Sequence, residues 1–180
     1  MDRKLSKTIV VAKYKEDLSW LGDIHHVVIE KDKDVPNIGR EPSSYVWYIL
    51  QNYESLDGVY FFLQGDPRDH CPNIMQELSN TEGEFRWFSN RGPFKCDMMA
   101  RPHDNVNISL FLERIDIEYQ QAEIQFMGCC LFMVTGDKLK TRPKEFYQKL
   151  YDVLMKNDRS EYAFERCIGL IFNDNEHKKQ

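Results

Sequence analysis

The sequence predicts a single α/β domain over residues 1–180, with a mostly parallel central sheet and helices on both faces. Three observations carry this prediction. The first 65 residues alternate strand, helix, strand, helix and strand, which is typical of a parallel sheet. A clear amphipathic helix is indicated at 142–157. Neither a linker nor an internal repeat divides the 180 residues, a length that suits one domain with a sizeable core.

The amino-terminal elements follow from short apolar runs separated by polar and turn residues. Buried strands are predicted at 7–14, 25–32 and 59–65, because each is a short apolar or β-branched run that ends in polar residues. Clustered apolar residues at 15–24 indicate a short helix between the first two strands. The Pro, Asn and Gly of 34–42 predict a loop, and a helix follows at 43–56 with Ser43 or Ser44 as its N-cap.

The second half of the chain is less regular. A short helix is predicted at 71–80, and 81–107 shows no periodicity, which is typical of a functional loop or a missed element. Residues 106–120 fit a strand or a helix equally well. One strongly apolar run predicts a buried strand at 124–135, and a final helix is predicted at 161–172.

Composition and charge narrow the classes of function. The chain is 42% hydrophobic and 29% charged with a net charge of −5, so it lacks the basic surface that nucleic-acid binding needs. No apolar run is long enough to cross a bilayer. The first apolar run is short and reaches Lys13, which predicts a first strand and no signal peptide. We therefore expect a cytoplasmic or cytosol-facing protein without a membrane anchor.

The five cysteines show neither a CxxC pair nor zinc-type spacing, and an odd number argues against a closed disulfide framework. Reduced thiols are consistent with a cytoplasmic protein. Cys129 and Cys130 lie in the apolar run at 124–135 and are interpreted as small core residues.

The candidate metal ligands follow the third predicted strand, in the segment FLQGDPRDH. In open parallel sheets, ligands bind beyond the carboxyl ends of the strands. Asp66, Asp69 and His70 lie at that position and offer two carboxylates and an imidazole to Mn²⁺ or Mg²⁺, with the phosphates of a substrate completing the coordination. The alternative is that both aspartates cap the following helix and that His70 is a surface residue.

Several segments together resemble an uncharacterised family, a domain of unknown function. The matching segments occur in the same order along nearly the whole chain: VVAKYKEDLSWL, PNIGREPSSYVWYIL, FLQGDPRDH, CCLFMVTGDKLKTRPKEFYQKL and FERCIGLIF. The most specific of them is FLQGDPRDH. This resemblance implies no activity by itself.

The layout is also similar to that of GT-A glycosyltransferases, which have a Rossmann-like nucleotide-binding half. In that fold an acidic motif after a buried strand holds a divalent metal, and QGDPRD stands at the corresponding place. The resemblance implies a metal-dependent enzyme that transfers a sugar from a nucleotide-diphosphate donor to a hydroxyl of a glycan or small acceptor. The wider spacing of Asp66 and Asp69 and the Arg166 in place of a second acid depart from the family pattern.

Under this resemblance Glu165 would be the catalytic base that takes the proton from the acceptor hydroxyl. The alternative is an ordinary Glu165–Arg166 pair on an exposed helix face. Candidate residues for binding the nucleotide follow the predicted strands: Tyr14, Glu16, Asp17, Asp32, Arg40 and Gln64. Tyr14 would stack on a base, Asp32 or Asp34 would accept from ribose hydroxyls, and Arg40 would pair with phosphate. The alternatives are that Asp17 caps a helix and that Arg40 forms a salt bridge within its loop.

Two other classes of function remain open. The same acids would serve a metal-dependent phosphohydrolase or nucleotidyltransferase, and a non-catalytic carbohydrate- or nucleotide-binding module would need no base. The chain contains no GxxxxGK[ST], GxGxxG or GxSxG motif, which excludes the commonest ATPase, dehydrogenase and hydrolase patterns.

Overall fold

The computed structural model describes residues 6–101 and 106–172. The strands are β1 (Lys7–Lys13), β2 (Val27–Glu30), β3 (Val59–Gln64), β4 (Phe85–Trp87), β5 (Phe94–Asp97), β6 (Glu123–Phe126) and β7 (Phe132–Thr135). The helices are α1 (Arg40–Asn52), α2 (Ile74–Glu77), α3 (Ile108–Arg114), α4 (Gly136–Leu139), α5 (Lys144–Leu154) and α6 (Ser160–Phe172), with 3₁₀ turns at Ser19–Leu21 and Tyr53–Ser55.

The main sheet has the strand order β2-β1-β3-β7-β4. β1 pairs in parallel with both β2 and β3, whereas β7 is antiparallel to β3 and to β4. β5 and β6 form a separate antiparallel pair. The predicted single α/β domain is therefore confirmed, with parallel strands at the core of a mixed sheet. A GT-A-like arrangement stays a prediction.

The two faces of the main sheet are covered unequally. Alternate residues of β3 point to opposite faces, as the period of a strand requires. Tyr60 and Phe62 pack in the larger core, which includes buried residues of α1, α3, α5 and α6. Phe61 and Leu63 pack in a smaller core with Leu21 of the first 3₁₀ turn and Ile74 of α2. The prediction of helices on both faces is thus correct for one face, while short turns of helix cover the other.

The predicted strand at 124–135 is wrong as a single element. The chain forms β6, turns at Gly128, and returns as β7 in the other sheet. Cys129 and Cys130 both adopt left-handed backbone angles, with φ of 76° and 48°, which no strand can contain. The apolar composition of this run does not distinguish a buried strand from a buried turn, and Gly128 is the one local sign of the break.

Other boundaries also differ from the prediction. The helix expected at 15–24 is a 3₁₀ turn of three residues, and the irregular segment 81–107 contains β4 and β5. Within 106–120, where a strand and a helix were equally favoured, the structure has the helix α3. Helix α1 starts at Arg40 and not after Ser43 or Ser44, because Pro42 is tolerated in a first turn where its missing N–H is not needed.

Across the described residues, no helix combines the length and the apolar character that crossing a membrane would require. All five cysteines are free thiols, as the odd count predicts.

Candidate functional site

A pocket of about 130 Å³ lies at the edge of the main sheet where the parallel strands end. Because β7 is antiparallel to β3, the turn that precedes β7 reaches the same edge as the end of β3. We call this cavity the α1–α6 pocket. Its lining residues are Arg40, Glu41, Pro42, Gln64, His70, Cys129, Cys130, Glu161, Tyr162 and Glu165.

The wall from α1 is set by a tight loop. Gly39 has a φ of 69°, and a Cβ at this position would lie 2.8 Å from the backbone oxygen of Leu154, so only glycine fits. The buried Lys31 fixes this loop, since its Nζ donates to the backbone oxygen of Ile38 and to Ser43 Oγ. Arg40 follows Gly39 with a φ of 46° and therefore enters the helix in a defined direction.

Arg40 joins the two helices that border the pocket. Its Nη1 donates to the Tyr162 hydroxyl at 3.1 Å, and its guanidinium lies 5.5 Å from the centre of that ring. Its Nε is 3.6 Å from Glu41, which raises the pKa of the guanidinium. The salt bridge anticipated as the alternative is therefore present. The side chain is still 56% exposed, so it remains accessible to a ligand.

Glu165 enters from α6 and is held at both oxygens. Oε1 accepts from the backbone N–H of Cys129, and Oε2 accepts from Arg166 Nη1 at 2.9 Å. The pair is not on an exposed helix face, because the side chains of Glu165 and Arg166 are 20% and 4% exposed. One helical turn earlier, Glu161 lies on the same face of α6 and lines the same pocket.

Cys129 and Cys130 complete the wall opposite α1. Burial raises the pKa of the Cys129 thiol, and it raises the pKa of the Cys130 thiol well above its usual value. Glu165 adds to both shifts because its negative charge opposes a thiolate. Both thiols are therefore neutral at physiological pH, and neither is suited to act as a nucleophile.

The motif after β3 contributes two predicted residues to the pocket. Gln64 Nε2 donates to the backbone oxygen of Asp66 at 2.8 Å, which fixes the amide at the mouth of the turn. The backbone N–H of His70 donates to the oxygen of Pro67 at 2.9 Å. His70 Nδ1 is enclosed and has no hydrogen-bond partner among the described residues.

Asp66 and Asp69 do not line this pocket. Both carboxylate oxygens of Asp66 accept from Arg68, at 2.8 and 2.6 Å, and this contact lowers the pKa of Asp66. Within 6–101 and 106–172, no group of three or more His, Cys, Asp or Glu side chains is placed to hold a metal ion. A metal ligand role for Asp66 would require it to leave Arg68, and a metal site at Asp66, Asp69 and His70 stays a prediction.

The remaining predicted nucleotide-binding residues lie elsewhere. Glu16 accepts from the backbone N–H groups of Tyr14 and Lys15, and its carboxylate covers Gly65. Asp17 accepts from the N–H and hydroxyl of Ser19 in the first 3₁₀ turn, whose N-cap is Leu18 and not Asp17. Asp32 and Tyr14 are exposed and lie outside the pocket lining. Four predicted residues therefore meet in the α1–α6 pocket: Arg40, Gln64, His70 and Glu165.

Sequence reasoning missed Glu161 in the pocket and Tyr45, which does not line the pocket. Glu161 is separated from Glu165 by one helical turn, so helical periodicity could have found it. Tyr45 is fully buried in α1, and its hydroxyl has no hydrogen-bond partner among the described residues. Burial raises its pKa well above the usual value, and the pocket residues Glu41 and Cys130 add to the shift. No sequence pattern distinguishes this tyrosine from an ordinary core residue.

Comparisons with protein-family models, curated proteins and solved structures find no match to this chain.

Proposed function

We propose that the protein transfers a sugar to a hydroxyl group of an acceptor that is held in the α1–α6 pocket, with Glu165 as the base. One observation carries the proposal. Arg40, Gln64, His70 and Glu165 come from three distant segments of the sequence and line one pocket. This pocket lies beyond the carboxyl ends of parallel strands, where α/β proteins bind their ligands.

The polar groups of the pocket suit a ligand rich in hydroxyls. Carboxylates accept hydrogen bonds from hydroxyls, an amide such as that of Gln64 donates and accepts, and an arginine donates. A volume of about 130 Å³ is well below that of pockets which enclose a whole drug-sized molecule. We therefore place only the reacting part of the substrates in it, and the rest of donor and acceptor outside.

Glu165 is suited to accept a proton because its carboxylate is fixed in position. Each oxygen carries one protein hydrogen bond and retains a second lone pair for an acceptor hydroxyl. As that hydroxyl oxygen bonds to the anomeric carbon, its proton passes to Glu165, and the bond from this carbon to the departing diphosphate breaks. No step in this scheme passes through a metal ion. A nucleotide-diphosphate donor and a requirement for Mn²⁺ or Mg²⁺ remain predictions from the resemblance.

The test is release of nucleoside diphosphate from a panel of nucleotide sugars, with simple glycosides as acceptors and with or without Mn²⁺. Loss of a general base should slow transfer in Glu165→Gln by about 10²–10⁴-fold. Glu161→Gln is the matched control, since it makes the same change on the same helix face and in the same pocket. Equal effects of the two variants would show that Glu165 acts through the charge of the pocket and not as a base.

A non-catalytic carbohydrate-binding module is the second candidate. The observation that favours it is that both oxygens of Glu165 are already hydrogen-bonded, as in a residue that orients a ligand. A binding module would be stabilised by a glycoside in thermal unfolding, in proportion to the logarithm of ligand over dissociation constant, but would release no nucleoside diphosphate.

A further inference from the structure

A second and larger cavity borders α6 beside and beyond the α1–α6 pocket, at Arg166, Gly169 and Leu170. It has a volume of about 600 Å³, within the range typical of small-molecule sites. We call it the α6–β6 cleft, and the residues that matter here are Trp87, Lys95, Glu123, Phe126, Arg166 and Gly169.

Two aromatic residues and a glycine determine the shape of the cleft. Trp87 from β4 lies against Gly169 of α6, and a Cβ on Gly169 would be 2.7 Å from the indole ring. The Nε1 of Trp87 is enclosed without a hydrogen-bond partner among the described residues. A buried donor in this state is unfavourable, and a ligand oxygen that met it after a small rotation of the indole would offset this cost.

The cleft also contains a buried cation. Arg166 is 4% exposed, lies 4.9 Å from the centre of the Phe126 ring, and donates to Glu165 and to the backbone oxygen of Tyr162. Lys95 lies at the surface of the same cleft. The charged residues of the cleft lining are Lys95, Arg166 and Glu123, and Arg166 is also paired with Glu165, which lines the α1–α6 pocket. Because Arg166 is enclosed, its charge is screened less than a surface charge.

We propose that the α6–β6 cleft binds a small organic anion that carries a flat aromatic ring. The ring packs against Trp87 and Phe126, since aromatic rings attract one another in offset or edge-to-face contact. The anionic group lies toward Arg166 and Lys95, where it forms charge-assisted hydrogen bonds. The cleft and the α1–α6 pocket are joined through the Arg166–Glu165 ion pair, but binding in the cleft does not require the proposed sugar transfer.

Phenyl phosphate is a suitable probe, because it contains both the aromatic ring and the anionic group of such a ligand. We would follow the three tryptophan indole N–H signals of the ¹⁵N-labelled protein by NMR and assign that of Trp87 with Trp87→Phe. Phenyl phosphate should shift the Trp87 signal in a saturable way. Trp20, whose indole N–H already donates to Gly65, should not shift. Inorganic phosphate lacks the ring and benzyl alcohol lacks the anionic group, so each should bind at least about tenfold more weakly than phenyl phosphate.

Two exposed positions test the charge without disturbing Arg166, whose bonds to α6 make it a poor target for substitution. Lys95→Glu should weaken phenyl phosphate binding about tenfold, whereas Glu123→Gln should tighten it. Changes of the same sign in both variants, or an affinity for phosphate equal to that for phenyl phosphate, would overturn the proposal. Tighter binding of a neutral phenyl glycoside would also overturn it, because the cleft would then recognise a sugar and not an anion.

Discussion

Tyr45 provides a direct test of how the core under α1 is packed. Its ring packs at 5.2 Å from Phe62 and 5.9 Å from Phe132, and its side chain is fully buried. The hydroxyl has no partner among the described residues. Since an unsatisfied buried hydroxyl costs about 1–3 kcal/mol, Tyr45→Phe should increase the free energy of unfolding, although it removes an atom from a packed core.

The magnitude follows from two opposing contributions. Removal of the hydroxyl relieves the desolvation cost but leaves a void of roughly 10 Å³, which at about 24 cal/mol per Å³ costs about 0.2 kcal/mol. The expected net gain is therefore about 0.8–2.8 kcal/mol. For a chain of 180 residues, each kcal/mol raises the melting temperature by about 2–4 °C.

The assay is urea unfolding of the wild type, Tyr45→Phe and Tyr147→Phe. Tyr147 is a matched control, since it is equally buried but its hydroxyl donates to the backbone oxygen of Leu139 at 2.8 Å. Tyr147→Phe should lose about 1 kcal/mol because it removes this hydrogen bond, while the carbonyl of Leu139 keeps its second one, from the backbone N–H of Arg142 at 3.3 Å. If Tyr45→Phe is destabilised as much as Tyr147→Phe, the Tyr45 hydroxyl has a partner and the reasoning is refuted.

Three further outcomes are expected. Burial lowers the pKa of Lys31 from 10.5 to about 8, so the folded protein holds fewer protons than the unfolded chain between these values. As the pH rises from about 8 to 10.5, the free energy of unfolding of the wild type should therefore increase by up to about 3 kcal/mol relative to that of Lys31→Met. Urea unfolding over this pH range measures both, and the same dependence on pH in the two proteins would contradict the prediction. If Asp66 binds Mn²⁺ as predicted, Asp66→Asn should abolish the manganese-dependent binding of a nucleoside diphosphate, measured by calorimetry. Arg68→Gln should strengthen this binding, because it frees the Asp66 carboxylate. Unchanged binding in both variants would show that Asp66 serves only to stabilise the turn. The Cys130 thiol should resist iodoacetamide at pH 8 in the folded protein, as followed by mass spectrometry, since its raised pKa keeps it protonated; rapid alkylation would show a reactive thiolate.

The parallel half of the fold could be predicted from the sequence because each element has its own signal. β1 and β3 are short apolar runs bounded by polar residues, and α1 lies between turn residues. The antiparallel half could not be predicted, because the direction of β7 depends on a left-handed turn at Cys129 and Cys130. Gly128 was the one local sign of this turn, since an isolated glycine in an apolar run often marks a break in a strand.

The candidate site was predictable to a similar extent. Residue types and neighbouring motifs predict four residues that line the α1–α6 pocket together: Arg40, Gln64, His70 and Glu165. The same kind of reasoning predicts Asp66 as a metal ligand, but its carboxylate pairs with Arg68, two residues along the chain. A local ion pair of this kind depends on side-chain direction within the turn, which residue type and spacing do not specify.

Two features in and beside the α1–α6 pocket cost stability. The left-handed backbone angles of Arg40, Cys129 and Cys130 are unfavourable for residues other than glycine. Tyr45 does not line the pocket, but its buried hydroxyl has no partner among the described residues, and the charges of the pocket residues Glu41 and Cys130 affect it. The backbone angles alone do not mark a site, since Asp116 and Asn157 have similar values outside the pocket. Left-handed angles that coincide with a buried, unpartnered polar group do indicate a candidate site, because a protein retains such unfavourable features where function requires them. If this reasoning holds, Tyr45→Phe gains stability and loses affinity for the ligand of the pocket, whereas a purely structural origin would give the gain in stability alone.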